Sequence, residues 1–490
     1  MKMTERIYSP VFIFNAIKEV EESYAVDDIK LQDGTRIWNL IRIILYFYFQ
    51  KKRKERKIKN PFPFLNESIK PIKIPDGVKV CGFSGTESRK YKNGKFYDIY
   101  MDPLYDILGD KFCVFEWPTP QGLRREYKNR IYSKKYVAMH IPLLSKTFVN
   151  IAFQKITKKR CIKSKEIDSI VAFFSKKMMT SDKKLLQVIN EAVSTFFHLK
   201  NFFVKILEKL NPEAILIRCG YGRFHMALSQ ACKELDISSI ELQHGIITKY
   251  HAGYVRDSKS DNKDCVPEYL LTYGDAFSNI VKKSCLFDAK KVASIGFPYM
   301  EEVKSSPLSI DNKMKRFLRR FSATCLASSQ WIIAEEMKNF FIDVSKQLSK
   351  MHKKIGIIFK PHPRDERNYD DMKKYENIFL VDKYEDFYEI LKAVDIHSTF
   401  YSTTGIEALA FGKPNIFIDF GKTSMKDMMN IVDNKSSFIV SSPAQFVEKI
   451  QYILSNYENI SKNAMKKSEV FFKPNAKDNF RKFYFSLKNL

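Results

Sequence analysis

A short polar segment in the second half of the chain carries residue types suited to holding a phosphate group. It follows the apolar run 355–359 and consists of Lys360, Pro361, His362, Pro363 and Arg364. An apolar run of this length indicates a buried parallel strand, and the prolines end it, so His362 is predicted at the strand's carboxyl end. Open α/β sheets bind their ligands at that edge. An imidazole between two cations would there neutralise a departing phosphate.

A second polar segment precedes a predicted helix. Ser402, Thr403 and Thr404 stand directly before apolar residues at helical spacing. Their hydroxyl and backbone N–H groups are therefore predicted at a helix amino terminus, which attracts anions. Glu407, in the first turn, is placed to accept hydrogen bonds from ribose hydroxyls. Because a Ser/Thr cluster is also an ordinary helix cap, the prediction of a nucleotide pocket depends on the two segments together.

His244 is the candidate general base for group transfer. It follows the predicted strand 239–243, and the pKa range of imidazole suits it to take a proton from a hydroxyl. The alternative is a structural histidine that bonds a loop carbonyl, and Glu87 and Asp275 are further candidate bases after strands. The sequence contains no Asp-x-Asp motif, so we expect a site without a metal and without a cofactor other than the donor substrate.

The elements around His244 form a β-α-β unit. Strand 214–218, helix 226–235 and strand 239–243 follow one another with short loops, which predicts parallel pairing. Loops at the carboxyl ends of such strands line a ligand cleft. The loop residues expected at this cleft are Gly220, Gly222, Arg223, Gln243 and Gly245.

The chain of 490 residues is too long for one core and divides by pattern into four parts. Residues 1–75 form a helical basic leader, 76–300 a Rossmann-like acceptor domain with a helical insertion, 301–470 a Rossmann-like donor domain, and 471–490 a C-terminal helix. The predicted fold is α/β, with two Rossmann-like domains that face a cleft. This architecture is called GT-B.

These motifs resemble those of the GT-B capsule and teichoic-acid transferases, a group that includes CDP-glycerol glycerophosphotransferases and bacterial Kdo and sialic acid transferases. The resemblance covers roughly residues 215–420. Its motifs here are Gln243-His244-Gly245, with Lys249 and His251 downstream, then His362-Pro363, and Ser402-Thr403-Thr404. The resemblance implies that His244 is the catalytic base and that the other two motifs hold donor phosphates.

One departure from the group bears on the donor. In the polyol-phosphate transferases the Ser/Thr element is usually followed by an aromatic-rich helix that begins with Asp, whereas this chain has Gly405-Ile406-Glu407. The resemblance therefore implies a glycosyltransferase that moves a sugar from a nucleotide-sugar to a cell-surface polysaccharide or glycolipid. A CDP-polyol phosphotransferase, a nucleotide-sugar epimerase and a basic nucleic-acid-binding protein stay open as alternatives. The last is disfavoured, because the sequence shows no nucleic-acid-binding motif.

The chain is strongly basic, with 83 Lys and Arg against 56 Asp and Glu, and so attracts anions. Residues 37–57 join an aromatic, apolar run to a basic run, a pattern typical of a helix at an anionic membrane surface. The alternative is a helix packed on the first domain. The eight cysteines show no C-x-x-C spacing and the amino terminus shows no signal-peptide pattern. Both favour the cytoplasm. If residues 37–57 form the membrane-surface helix, the protein attaches peripherally to the inner face of the membrane.

Overall fold

Two parallel β-sheets, each covered by helices, make up the chain in the computed structural model. It describes residues 8–50, 76–85, 88–92, 95–117, 136–138, 162, 164–421 and 432–487. The chain divides into two compact units, Met1–Ser294 and Ile295–Leu490. The prediction of an α/β protein with two Rossmann-like sheets is confirmed. Among the residues described, no helix is long and apolar enough to cross a membrane.

The first unit contains a parallel sheet and a small hairpin. Its strands are β1 Val80–Gly85, β2 Arg89–Lys92, β3 Lys95–Asp98, β4 Phe112–Trp117, β5 Tyr136–Ala138, β6 Ala214–Ile217, β7 Ser238–Leu242, β8 Tyr269–Thr272 and β9 Val292–Ser294. The sheet order is β5-β4-β1-β6-β7-β8-β9, and β2 pairs with β3 as an antiparallel hairpin. Ile215, Leu216 and Ile217 of β6 are inaccessible to solvent, as expected for an inner strand of a sheet covered on both faces.

Helices join and cover these strands. In the described part of the unit they are α1 Pro10–Ser23, α2 Trp38–Gln50, Tyr105–Leu108, Lys165–Lys177, Asp182–Leu210, Arg223–Glu234 and Asp275–Lys282. The predicted β-α-β unit is present, because β7 pairs in parallel with β6 and the helix Arg223–Glu234 connects them. That helix packs along Asp182–Leu210. The carboxyl ends of β6 and β7 therefore lie side by side.

The leader helices pack within the first unit. Trp38 and Leu45 of α2 are inaccessible to solvent, and Arg42 is 1% exposed. The Arg42 guanidinium is tolerated there because its Nε lies 2.8 Å from Glu21 Oε1 of α1. For the helix itself, the structure favours the packed alternative over a membrane-surface helix spanning 37–57. The basic residues 51–57 lie outside the described part of the chain.

The second unit contains one parallel sheet. Its strands are β10 Ala323–Ser328, β11 Ile355–Lys360, β12 Ile378–Leu380, β13 Ile396–Thr399, β14 Asn415–Ile418 and β15 Ser437–Val440, in the order β12-β11-β10-β13-β14-β15. The helices described in this unit are Pro298–Ser305, Asn312–Leu318, Ala334–Leu348, Phe387–Ala393, Thr404–Ala410, Pro443–Ser455, Tyr457–Phe471 and Ala476–Leu487. The β10, β11 and β13 strands are neighbours, so the loops that follow them meet at one edge.

The C-terminal helix packs against the segment that opens the second unit. The backbone N–H of Ala476 donates to Glu301 Oε1 at 2.7 Å, and Asn479 Nδ2 donates to the Ile295 carbonyl at 3.0 Å. Gly296 has a φ of +98°, and a Cβ there would lie 2.3 Å from the carbonyl oxygen of Lys473. These contacts join the segment that begins at Ile295 to the second unit; the boundary predicted from the sequence is residue 300.

Candidate functional site

His244 lies within a chain of side-chain hydrogen bonds in the first unit. Its Nε2 is 3.0 Å from Tyr221 Oη, and its Nδ1 is 3.3 Å from Tyr254 Oη. Tyr254 donates to Glu241 Oε1 at 2.8 Å. The Tyr100 hydroxyl donates to the His244 backbone carbonyl at 3.1 Å, which holds the main chain in place. The side chains thus connect in the order Tyr221, His244, Tyr254, Glu241.

Burial sets the protonation states of Glu241 and His244 in this series of hydrogen bonds. Glu241 is 1% exposed, and burial raises its pKa to about 8. For His244, burial and then the nearby Arg218 charge hold the pKa well below the usual value. The imidazole is therefore neutral at physiological pH and has one nitrogen lone pair with which to accept a proton.

Aromatic rings and a glycine fix Tyr221 beside this histidine. Phe47 of α2 stacks on the Tyr221 ring with 5.7 Å between centroids, and the His251 ring lies 4.9 Å from it. A Cβ at Gly253 would lie 2.5 Å from Tyr221 Cδ1, so the loop can approach the ring only with glycine at this position. The Tyr221 ring is consequently held by α2 on one side and by the loop after β7 on the other.

Glu241, Tyr221 and Tyr254 were not predicted from the sequence as part of the site. Glu241 had a usable signal, because a carboxylate between Ile240 and Leu242 in a buried strand requires a partner. The tyrosines had none, since they come from separate loops. Gly220, predicted at the ligand cleft, lies against Glu241 instead. A Cβ there would be 2.3 Å from Oε2, so the carboxylate occupies the space that a side chain would need.

Among the other predicted cleft residues of this unit, Gln243 and Gly222 support the local backbone. Gln243 is buried and joins two loops, because its Oε1 accepts from the Tyr273 backbone N–H at 2.7 Å and its Nε2 donates to the Gly245 carbonyl at 2.7 Å. Gly222 is the N-cap of the helix that begins at Arg223, and Arg223 is exposed. Gln243 therefore fixes the backbone from which His244 projects.

The alternative bases are not part of the hydrogen-bonded chain as described. Asp275 is exposed at the start of its helix, and the hydrogen bonds around His244 do not include it. Glu87 lies outside the described residues. Of the three candidate bases, His244 is therefore the one that lies in the described series of hydrogen bonds. Its role as a base stays a prediction.

In the second unit, His362 lies in the loop after β11 and is partly exposed. Its Nδ1 accepts a hydrogen bond from the Arg364 backbone N–H at 3.0 Å. Burial and then the Arg364 charge lower its pKa to about 4. The neutral ring therefore carries its proton on Nε2, which makes that atom a hydrogen-bond donor suited to a phosphate oxygen.

The two predicted cations around His362 differ in their surroundings. Lys360 is 6% exposed, and its Nζ donates to the Lys383 carbonyl at 2.9 Å. Lys383 Nζ donates in return to the Asp365 carbonyl at 2.7 Å, so the loops after β11 and β12 are tied together. Arg364, like Pro363, is exposed. Of the pair, Arg364 has the better access to a ligand.

The predicted phosphate contacts at 402–404 are altered by the turn that contains them. The backbone N–H of Thr404 donates to Ser402 Oγ at 3.3 Å, that of Gly405 to the Ser402 carbonyl at 3.1 Å, and that of Ile406 to the Thr403 carbonyl at 3.0 Å. These N–H groups are thus used within the turn. The Thr404 hydroxyl is buried and has no hydrogen-bond partner among the described residues. Hydroxyl groups, more than backbone N–H groups, are what this segment offers a ligand.

The sheet of the second unit brings both segments to one edge. β10 lies between β11 and β13, with Ser328 paired to Lys360 and Ala327 to Ser398. Two strand spacings place the segments roughly 10 Å apart across that edge. The loop after β10 joins them, because the Tyr401 backbone N–H donates to Gln330 Oε1 at 3.2 Å. Glu407, in the first turn of the following helix, is partly exposed.

Several solved structures share the architecture of the chain. A structure described as a UDP-N-acetylglucosamine 2-epimerase from Listeria monocytogenes is 11% identical with a TM-score of 0.53, and covers 84% of this chain and 96% of its own. Another UDP-N-acetylglucosamine 2-epimerase is 11% identical with a TM-score of 0.50, with coverages of 85% and 98%. A glycosyltransferase from Rickettsia africae is 12% identical with a TM-score of 0.45, with coverages of 85% and 99%. At such identities the likeness concerns the fold, and the first two confirm the predicted GT-B type.

A family comparison gives the sequence relationship. The family model described as CDP-glycerol:poly(glycerophosphate) glycerophosphotransferase matches residues 230–484, slightly more than half of the chain. The matched span contains His244, His362 and the segment 402–404, and it begins after Tyr221. No curated protein sequence matches the chain significantly.

Proposed function

Since the chain belongs to the CDP-glycerol:poly(glycerophosphate) glycerophosphotransferase family and is therefore a transferase, we propose that it moves a polyol phosphate from a CDP-linked donor to a hydroxyl of a cell-surface polymer or lipid-linked acceptor. The observation that carries this proposal is the family match, because it spans both His244 and His362. The donor, the acceptor and the roles of individual residues are all part of the proposal.

The donor pyrophosphate binds at the sheet edge of the second unit. His362 Nε2–H and the hydroxyl groups of the partly exposed Ser402 and Thr403 donate hydrogen bonds to its oxygens, and the exposed Arg364 adds positive charge. These groups stabilise the negative charge that gathers on the departing CMP. The sequence has no Asp-x-Asp motif for a metal, so protein groups alone neutralise the phosphates in this proposal.

His244 removes the proton of the acceptor hydroxyl. The acceptor oxygen then forms a bond to the phosphorus that carries the polyol, and the bond from that phosphorus to the oxygen shared with CMP breaks. The proton remains on the imidazole until solvent removes it. The neutral state of His244, held by its burial, leaves the lone pair that this step requires.

A sugar donor is the second candidate, and Glu407 is the observation that favours it. A carboxylate in the first turn after the Ser/Thr segment suits the ribose hydroxyls of a nucleotide-sugar, and its partly exposed position leaves it accessible. In that case the acceptor oxygen attacks the anomeric carbon, and the nucleotide leaves with the bonding electrons. The donor pocket and the base are the same in both candidates.

Thermal unfolding in the presence of nucleotides tests the donor pocket. Purified protein is heated with millimolar CMP, CDP, UDP or GDP, and a nucleotide present at a hundred times its Kd stabilises by about 2.7 kcal/mol. Cytidine nucleotides are expected to give the largest shift. A shift with UDP or GDP alone would contradict a CDP-linked donor and support an ordinary nucleotide-sugar.

Product analysis then identifies the transferred group. The protein is incubated with a poly(glycerophosphate) oligomer and either CDP-glycerol or UDP-N-acetylglucosamine. The mass of the oligomer is then measured by mass spectrometry. Growth by glycerol phosphate with CMP release is the expected result. Growth by a sugar supports the second candidate, and an unchanged oligomer with both donors contradicts this acceptor.

A further inference from the structure

Both ring nitrogens of His244 already have hydrogen-bond partners in the protein. Nδ1 faces the hydroxyl of Tyr254 and Nε2 faces that of Tyr221. When the Tyr254 hydroxyl donates to Glu241 Oε1, its oxygen is left to accept a hydrogen bond from Nδ1–H of His244. In this tautomer the lone pair of the neutral imidazole is on Nε2 and faces the Tyr221 hydroxyl, which also forms a hydrogen bond with Cys219.

This arrangement separates the base from the acceptor. A substrate hydroxyl cannot give its proton directly to Nε2 while the Tyr221 hydroxyl occupies that position. Tyr254 and Glu241 are each 1% exposed, whereas Tyr221 and His244 are both partly exposed. A substrate therefore approaches these residues from the side of Tyr221 and His244.

We infer that Tyr221 is the catalytic residue that contacts the acceptor hydroxyl and passes its proton to His244. The inference rests on the proposed function and deepens it. Tyr221 is suited to the relay because its oxygen has lone pairs left to accept one proton while its own proton leaves along the existing 3.0 Å hydrogen bond. Stacking by Phe47 and contact with His251 hold the ring in this position.

The acceptor O–H bond breaks and its proton binds Tyr221 Oη, while the original Tyr221 proton binds His244 Nε2. The acceptor oxygen, with its electron pair, bonds to the donor phosphorus, and the bond to the leaving CMP oxygen breaks. Tyr221 ends neutral and His244 ends as imidazolium. Tyr254, linked to Glu241, holds the Nδ1 side of that cation.

The opposing possibility is that Tyr221 blocks the base and must move aside before the acceptor binds. The two possibilities predict opposite results for Tyr221→Phe, which keeps the ring and removes the hydroxyl. If Tyr221 is a relay, the variant loses the path of the proton, so kcat falls at least about 100-fold, the scale of one acid-base group. If Tyr221 blocks the base, the variant removes the block, so kcat stays the same or rises.

The experiment measures CMP release from CDP-glycerol with the poly(glycerophosphate) oligomer. Tyr221→Phe is expected to lose activity with unchanged CMP binding and unchanged thermal unfolding. His244→Gln and the double variant are expected to be no worse than Tyr221→Phe, because members of one relay act as a unit. Tyr457→Phe is the matched control, since it removes a tyrosine hydroxyl that bonds the Asp395 carbonyl in the second unit. Wild-type-like kcat in Tyr221→Phe overturns the relay.

A readout that does not require turnover separates the relay from the proposed function. With histidine labelled by ¹⁵N, NMR is expected to show His244 protonated on Nδ1, and the Nε2 signal is expected to move in Tyr221→Phe. A proton on Nε2 overturns the relay. Absence of transfer by the wild-type protein overturns the proposed function instead, and the NMR result then still decides whether the hydrogen-bonded chain exists.

Discussion

Replacement of Glu241 by glutamine should remove a pH dependence from the stability of the first unit. Burial raises the pKa of Glu241 from 4.5 to about 8 in the folded protein. Below pH 4.5 both folded and unfolded states hold the proton. Between the two values the folded state binds more protons than the unfolded chain, so its stability falls as the pH rises. The loss is complete once the pH passes the folded-state value.

The magnitude follows from the width of that interval. Each pH unit within it lowers the free energy of unfolding by about 1.4 kcal/mol. The full interval corresponds to an order of 5 kcal/mol, and the part between pH 6.5 and 8 to about 2 kcal/mol. Buried His244 has a lowered pKa and contributes in the opposite direction, but that contribution is lost only as the pH falls below about 6.5. Other histidines with a lowered pKa, among them His225 and His251, act in the same direction as His244, so the comparison of wild type with Glu241→Gln at the same pH values is what isolates Glu241.

Calorimetric unfolding at pH 6.5 and pH 8 measures the effect. The wild-type Tm should fall by on the order of 4 °C more than that of Glu241→Gln over this range. The glutamine amide in contact with Gly220 shifts the Tm of the variant by an amount that does not depend on pH. The measured quantity is therefore the change in Tm between the two pH values. Glu268→Gln is the control, since that side chain is 34% exposed and pairs with Lys291. Equal pH dependence in wild type and Glu241→Gln would refute the raised pKa.

Three further predictions concern other residues. Arg42→Met should destabilise the first unit by about 3–5 kcal/mol, because it removes the nearer of two cations from buried Glu21, leaving Arg256 Nε at 3.7 Å, and also leaves the Ala252 and Val255 carbonyls without this donor; urea unfolding measures this, and a loss below about 1 kcal/mol, the value of an exposed pair, would contradict it. His244→Ala should abolish transfer while nucleotide affinity, measured by calorimetric titration, stays nearly intact; undiminished turnover would remove it from the mechanism. His362→Ala and Glu407→Ala should each weaken nucleotide affinity by about 1–3 kcal/mol, and unchanged affinity in both would exclude the donor pocket.

Much of the fold could be predicted because the apolar runs are local signals. The β-α-β unit before His244 and the strand before His362 were both found from short runs of Ile, Leu and Phe. Such runs specify parallel strands that are buried on both faces. The position of a residue directly after such a strand also follows, which is why both histidines were found.

The surroundings of these histidines could not be predicted, because they depend on contacts between distant parts of the chain. Tyr221 and Tyr254 belong to separate loops that meet only when β6 and β7 pair. The aromatic and basic pattern of residues 37–57 left a surface helix and a packed helix open, because Glu21, the buried partner of Arg42, comes from another helix. At 402–404, the sequence showed the Thr404 N–H group but not that the Ser402 hydroxyl accepts its hydrogen bond.

The packing of α2 also sets a limit on exchanging parts between relatives. The region that matches the family begins at residue 230 and contains His244, but Tyr221 and the α2 residues that surround it precede that region. Arg42 reaches the carbonyl of Val255 at 2.9 Å, and Tyr46 reaches that of Tyr250 at 3.1 Å. A chimera joined at residue 230 would therefore divide one hydrogen-bonded unit between two parents. Hybrids designed to alter acceptor choice should keep the leader and the loop after β7 from the same parent.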